Sequence, residues 1–277
     1  MKRSIVGVAV VAGMVQLTAM PAQAAASASD PVTALKAELA PGRAVNLQAT
    51  AKITYPGDRV VTSAVDGTFG LGSRGPVASD LGQTVQYSDK LLREMKKSSP
   101  KETEGLQAGP VRLISSGSVS YVSGPVVEQT LLTQNAAHVR YTGVKQPPSN
   151  LLVEVLDPAT LKALVAARSS WKDGILKGTI KPAKLAAVSQ PFASRYGTRF
   201  KTGKISYTLY FGDKGLVRRV AVKATLPVAK TTVQVESDTR FSDWGREVTV
   251  NLPLRGDVID RAEVKGDVPA GVPGIWN

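Results

Sequence analysis

Apolar and polar side chains alternate along residues 204–253, and this alternation is the strongest constraint on how the chain can fold. It runs through four segments: 205–211, 216–226, 233–241 and 248–252. Gly212 and Gly215 lie in the first break, where glycine accepts the positive φ that a hairpin loop requires. Because successive side chains on a strand point to opposite faces, the pattern predicts an antiparallel meander with one apolar and one polar face. An apolar face this wide has to be covered.

The first 24 residues have the pattern of a secretory signal peptide. Lys2 and Arg3 make the start positive, residues 5–14 form a short apolar stretch, and Ala22-Gln23-Ala24 provides an A-x-A cleavage site. The apolar stretch is too short to span a bilayer comfortably. We therefore expect residues 1–24 to be cleaved, residues 25–277 to form one domain, and the protein to be secreted into an extracytoplasmic compartment.

The chain has 277 residues and no cysteine. This excludes disulfides, thiolate metal ligands, thiol catalysis and a lipidated cysteine, so we expect the protein to be released rather than lipid-anchored. Its stability must then come from a core, and a chain of this length can build one β-rich domain.

The formal net charge of +13 predicts weak attraction to an anionic membrane surface. Basic residues are concentrated between residues 88 and 109: Lys90, Arg93, Lys96, Lys97 and Lys101. We interpret this segment as a short helix over 89–96 followed by a mobile loop, forming either a solvated face or a patch that contacts headgroups. Over the chain as a whole the basic residues are scattered and not interleaved with aromatic ones, so we expect no nucleic-acid partner.

Three short helices are predicted to pack on the sheet. Asp30 and Asp157 each precede a proline, a combination that caps a helix and suits its first turn. The first helix has an apolar stripe of Val32, Leu35 and Leu39, the second spans 159–168, and the third follows Lys181-Pro182. Further strands are predicted at 44–55, 60–71, as a pair within 111–123, at 138–141 and at 171–180. The tail after Asp260 is expected to attach loosely, with Trp276 held in a groove.

Few groups in this sequence can carry chemistry. Residues 70–75 match G-x-G-x-x-G, but no helix pattern opens after them, so a loop between strands is favoured. The single histidine, His138, has the flanks of a half-buried strand residue. Paired carboxylates, Asp238 with Asp243 or Glu102 with Glu104, are near one another only in sequence. We expect no catalytic residue, no metal and no cofactor.

Several turns and strand ends carry a family resemblance. They are residues 215–219, 238–245, 248–250 with Pro253, 30–31 with 34–36, 121–125, 157–161, and 178–180 with Leu185. In order and spacing they resemble the bacterial LolA/LppX-type lipoprotein-carrier proteins, most closely a secreted actinobacterial branch. The resemblance implies an α+β fold: a strongly curved antiparallel β half-barrel with short helices covering its concave face, and a hydrophobic space between that holds acyl chains. The missing lipobox cysteine and residues 131–137, where a turn and a strand-opening aromatic are expected, depart from the family pattern.

The leading hypothesis is an exported, non-enzymatic, monomeric protein that binds a lipid or an acylated protein. Its predicted cavity wall consists of Ile205, Tyr207, Leu209, Val220, Val222, Val233 and Val235. Its predicted lid consists of Leu161, Leu164 and Val165. Alternatively, these residues close on one another as an ordinary core without a cavity.

Two further hypotheses remain open. One is a cell-envelope sensor or protein-interaction module of the same fold without lipid cargo. The other is a carboxylate hydrolase using Glu236, Asp238 or Asp243.

Overall fold

The computed structural model describes residues 30–144, 149–196, 200, 202–228 and 231–275. The predicted signal peptide at residues 1–24 and Trp276 lie outside the described residues. Twelve strands are described: β1 Arg43–Tyr55, β2 Arg59–Gly72, β3 Gly75–Tyr87, β4 Val111–Ser116, β5 Val119–Ser123, β6 His138–Thr142, β7 Arg168–Lys172, β8 Ile175–Ile180, β9 Lys204–Phe211, β10 Val217–Val228, β11 Thr231–Glu247 and β12 Val258–Asp260. The described α-helices are α1 Pro31–Glu38, α2 Asp89–Ser98, α3 Pro100–Ala108, α4 Pro125–Leu131, α5 Pro158–Ala166, α6 Pro182–Val188 and α7 Gln190–Tyr196.

All described strands belong to one open, curved sheet in the order β12-β6-β5-β4-β3-β2-β1-β11-β10-β9-β8-β7. Neighbouring strands are antiparallel, except that β12 pairs in parallel with β6 at one edge. The two halves of the chain meet where β1 pairs with β11, which places Leu47 opposite Phe241 and Ile53 opposite Val235. The predicted α+β half-barrel is confirmed.

Burial alternates along the strands as the sequence pattern predicts. On β1, Leu47, Ala49 and Ile53 are buried, whereas Gln48 and Lys52 on the opposite face are exposed. The same alternation continues along β9 and β10. The buried face is the concave side of the sheet, and the covering layer lies against it.

The three helices that were predicted to pack on the sheet, α1, α5 and α6, begin where the sequence predicts. The Asp30 carboxylate accepts a hydrogen bond from the Thr33 backbone N–H at 2.9 Å, and Asp157 accepts one from Thr160 at 2.9 Å. These caps satisfy N–H groups that the first turn leaves without intrahelical partners. No helix in the described ranges is long and apolar enough to cross a bilayer.

The prediction of a fourth meander strand is wrong. The third segment continues as β11 to Glu247, and no strand is assigned to residues 248–254. The pairing partner explains the end of β11, because β1 begins at Arg43, which lies opposite Glu247. The Val248 N–H still donates to the Gly42 carbonyl at 3.0 Å, but Gly42 belongs to the turn before β1, so the ladder ends there. Leu252 and Leu254 are exposed.

Three other local predictions need correction. The segment after Lys96 is not a loop but continues into α3, which starts on Pro100 and buries Leu106. The predicted strand at 171–180 is the hairpin β7–β8, because the turn residues Asp173 and Gly174 both have positive φ. The tail is anchored rather than loose.

The tail makes contacts with β6, with α4 and the turn after it, and within itself. The Thr130 hydroxyl of α4 donates to the Asp267 carbonyl at 2.9 Å. The Tyr141 hydroxyl donates to the Pro269 carbonyl at 2.9 Å, and Arg261 donates to the same carbonyl at 2.9 Å. Val268 is buried. Together with the pairing of β12 and β6, these contacts fix the tail against the edge of the sheet.

Candidate functional site

The seven predicted wall residues lie on three adjacent strands, β9, β10 and β11. Pairing places Val220 opposite Leu209, and Val222 opposite Tyr207. All seven point to the concave side, and their exposed fractions range from 0% to 3%. The structure therefore brings the predicted wall together as one continuous apolar surface.

The predicted lid, α5, is tied directly to this wall. Leu161 and Leu164 are buried, and Val165 is half-buried against the same core. The Tyr207 hydroxyl donates to the Leu164 carbonyl at 2.6 Å. Burial raises the pKa of Tyr207 to about 12, so the phenol stays a neutral donor at physiological pH. A hydrogen bond thus holds the last turn of α5 to β9.

Gly178 on β8 makes this contact possible. It is the strand partner of Tyr207. A Cβ at Gly178 would lie only 2.2 Å from the Tyr207 hydroxyl oxygen, far inside van der Waals contact. Because glycine has no side chain, the Tyr207 side chain can pass over Gly178 and reach α5.

An irregular stretch, Ser149 to Leu156, also lies over the concave face. We call it the interior segment. It has neither helix nor strand, yet every residue in it is buried. Its apolar members, each at most 2% exposed, share one core with the wall: Leu151, Leu152, Val153, Val155 and Leu156. Sequence analysis missed this segment because its apolar run has no helical or strand period.

Polar contacts locate the interior segment over the middle of the sheet. The Asn150 side-chain amide donates to the Ser63 hydroxyl of β2 at 3.1 Å and lies 3.5 Å from the Ala49 carbonyl of β1. At the far end, the Leu156 carbonyl lies beside Gly75 in the β2–β3 hairpin. Arg195 on α7 donates to the Leu151 carbonyl at 2.7 Å. Since Ala49 and Ser63 are small, the segment occupies the space that they leave.

The interior segment carries a buried carboxyl group. Glu154 is 6% exposed. Burial raises its pKa to about 7, and the positive charge of Arg195 partly opposes the rise. The carboxyl accepts a hydrogen bond from the Leu156 backbone N–H at 3.3 Å. A group that titrates near neutral pH therefore lies in the layer that covers the concave face.

Two buried acceptor atoms beside this segment accept no hydrogen bond from the described residues. Gln83 donates to the Ser63 hydroxyl at 3.3 Å, but the Gln83 Oε1 and Asn150 Oδ1 atoms have no hydrogen-bond partner in the described part of the chain. Buried acceptors are costly when unpaired, so both can take a donor from water or from a polar group of a ligand.

The three acidic residues considered for a carboxylate hydrolase have other partners. Asp238 binds Arg219 at 2.8 Å, Glu236 binds Lys223 at 3.0 Å, and Asp243 accepts from the Asn46 side chain at 2.7 Å. His138 is half-buried, and burial lowers its pKa. Among the described residues, no three histidine, aspartate or glutamate side chains are grouped so that they could hold a metal.

The basic segment forms an amphipathic helix, α2, with no fully buried residue. Leu91, Leu92 and Met95 are half-buried, whereas Lys96 and Lys97 are exposed. The helix therefore presents a positive surface at the rim of the sheet.

Comparisons found no matching family model and no matching curated protein. Among solved structures, a LolA superfamily protein from Nitrosomonas europaea is similar over 80% of this chain and 95% of its own, with 6% identity and a TM-score of 0.28. A DUF1329 family protein from Desulfovibrio piger covers 80% of this chain and 96% of its own at 12% identity and TM-score 0.24. A lipovitellin structure on lipid–protein interactions covers 78% of this chain but 26% of its own, at 10% identity and TM-score 0.26. Similarity at this level says nothing about function, and membership of a secreted actinobacterial branch stays a prediction.

Proposed function

We propose that this chain is an exported, non-enzymatic protein that holds the acyl chains of a lipid or an acylated protein on the concave face of its sheet. One observation carries the proposal. The concave apolar face, which includes the wall on β9–β11, is covered partly by short helices and partly by the irregular interior segment. A segment without regular hydrogen bonding can leave the sheet at lower cost than a strand or a packed helix.

Burial of the interior segment and burial of an acyl chain contribute free energies of similar size. Burying an apolar side chain contributes about 2 kcal/mol, so the five apolar residues of the interior segment contribute on the order of 10 kcal/mol. An acyl chain gains about 0.8 kcal/mol for each buried CH₂, so a long chain contributes a comparable amount. A ligand can therefore replace the interior segment in near balance, with the net affinity set by the ordering costs on each side.

Val222→Trp tests the wall, with Ala221→Trp as its matched control. The two residues are neighbours on β10 and point to opposite faces of the sheet. Uptake of a fluorescent fatty acid is expected to fall in Val222→Trp, because the indole fills space on the concave side, and to stay at the wild-type level in Ala221→Trp. Circular dichroism checks that both variants fold. Equal uptake by two folded variants would remove Val222 from the wall.

A second function, a cell-envelope sensor or protein-interaction module, is favoured by the same interior segment. Leu151 to Leu156 already fill the concave face, so a lipid is not needed to cover it. This function predicts that the interior segment stays protected from hydrogen exchange whatever lipid is offered, whereas the carrier function predicts loss of protection.

The cellular setting belongs to the proposal. We expect cleavage of residues 1–24, secretion, a monomeric state, and weak contact with anionic membrane surfaces through α2. Half-buried Leu91 and Leu92 beside exposed Lys96 and Lys97 support this contact, because basic amphipathic helices bind at membrane surfaces.

A further inference from the structure

Three arginines converge on the outward face of the sheet, on the side away from the interior segment. They surround a depression of about 480 Å³ where β1, β11, β10 and β9 run side by side. Its polar lining consists of Gln48, Tyr210, Ser242, Arg218, Arg219 and Arg240.

This arrangement of charges destabilises the sheet when no anion is bound. Arg219 and Arg240 are direct partners across β10 and β11. Like charges opposite one another destabilise a strand pair. The strand irregularity between Val217 and Arg219 brings Arg218 to the same depression. The Arg218 side chain runs along Gly212, and a Cβ at Gly212 would lie 3.0 Å from it. Bulges of this kind redirect side chains and are frequent at functional sites.

Only one of the three guanidinium groups is neutralised locally. Arg219 donates to the Asp238 carboxylate at 2.8 Å and lies over the Tyr210 ring, 5.1 Å from its centre. These contacts hold Arg219 in place. Within the described part of the chain, Arg218 and Arg240 have no ion-pair or hydrogen-bond partner. One carboxylate among three arginines leaves two positive charges at the depression.

We propose that this depression, the arginine site, binds a phosphate-bearing anion. A guanidinium presents a planar fork of donors that matches phosphate oxygens, and two free forks can hold one phosphate from two sides. The depression is within the size range of small-ligand pockets, so it can take a phosphate together with a small organic substituent. It lies on the opposite face from the acyl site and does not depend on the proposed lipid cargo.

Arg240→Gln tests the arginine site, with Arg74→Gln as the matched control. Arg74 is exposed in the β2–β3 turn, and its substitution removes the same charge elsewhere. Calorimetric titration with glycerol 1-phosphate is expected to give similar affinity for wild type and Arg74→Gln. Arg240→Gln should bind roughly tenfold or more weakly, because a charge-assisted hydrogen bond is lost.

A second measurement separates loss of binding from loss of folding. Without the anion, Arg240→Gln should melt at the wild-type temperature or above it, because the repulsion from Arg219 is relieved. Added glycerol 1-phosphate should raise the melting temperature of wild type, but not that of Arg240→Gln. Sodium chloride at the same ionic strength serves as the control for screening.

The source of the phosphate is resolved by a vesicle assay. If the phosphate belongs to a lipid headgroup, Arg240→Gln should bind phosphatidylglycerol vesicles more weakly than Arg74→Gln. If it belongs to a soluble ligand, only the titration should distinguish the two variants. Equal binding by both variants in both assays, or equal stabilisation by sodium chloride, would overturn the proposal.

Discussion

Replacement of Glu154 by glutamine should make the protein more stable at neutral pH. The ordinary pKa of a glutamate carboxyl is 4.5, and burial raises the pKa of Glu154 in the folded state to about 7. Between these values the folded protein keeps a proton that the unfolded chain has lost, so the stability of the wild type falls as the pH rises through this window. The difference between the two pKa values corresponds to about 3 kcal/mol.

Glutamine has nearly the same shape and keeps an oxygen that can accept from the Leu156 N–H, but it does not ionise. Urea unfolding at a series of pH values measures the effect. The difference in unfolding free energy between variant and wild type should be constant below about pH 4.5. It should then shift in favour of the variant by about 3 kcal/mol up to pH 7 and stay level above it.

The same substitution at Glu104, which is exposed on α3, measures what removal of a surface carboxylate does. If Glu154→Gln and wild type differ by the same amount at every pH, Glu154 does not lie in a buried environment. The interior segment would then not cover the concave face in solution.

Three other measurements probe the cover, its anchor and the basic helix. Tyr207→Phe should lower the free energy of unfolding by about 1 kcal/mol, because it removes the hydrogen bond to the carbonyl in α5; an unchanged urea midpoint would show that this bond contributes nothing. Added fatty acid should increase hydrogen exchange in residues 149–156 by freeing them from the sheet, and unchanged protection with bound lipid would show that the ligand lies elsewhere. Binding to anionic vesicles should weaken with added salt and in Lys96→Ala/Lys97→Ala; salt-independent binding would exclude an electrostatic contact.

Local patterns predicted the parts of the fold that depend on local physics. A strand presents alternate residues to one face, so the period of two identified Ile205, Tyr207 and Leu209 as one surface before any strand was paired. Helix caps are equally local, and Asp30 and Asp157 both cap helices as predicted.

The parts that depend on distant partners could not be read in the same way. The alternation at 248–252 is as regular as in the true strands. However, β1 begins at Arg43, opposite Glu247, so no residue of β1 lies opposite 248–252. The interior segment is the clearest example, because its burial follows from small residues such as Ala49 and Ser63 on two other strands. Its apolar composition alone is compatible with a strand, a helix or a loop.

The proposed function is tested most directly by native mass spectrometry of the protein secreted from a bacterial host, followed by lipid extraction. We predict a fraction of molecules heavier than the polypeptide by the mass of a lipid, and recovery of that lipid in the extract. A single mass equal to that of the polypeptide, unchanged after incubation with fatty acids and phospholipids, would contradict acyl-chain binding and favour a protein-interaction module.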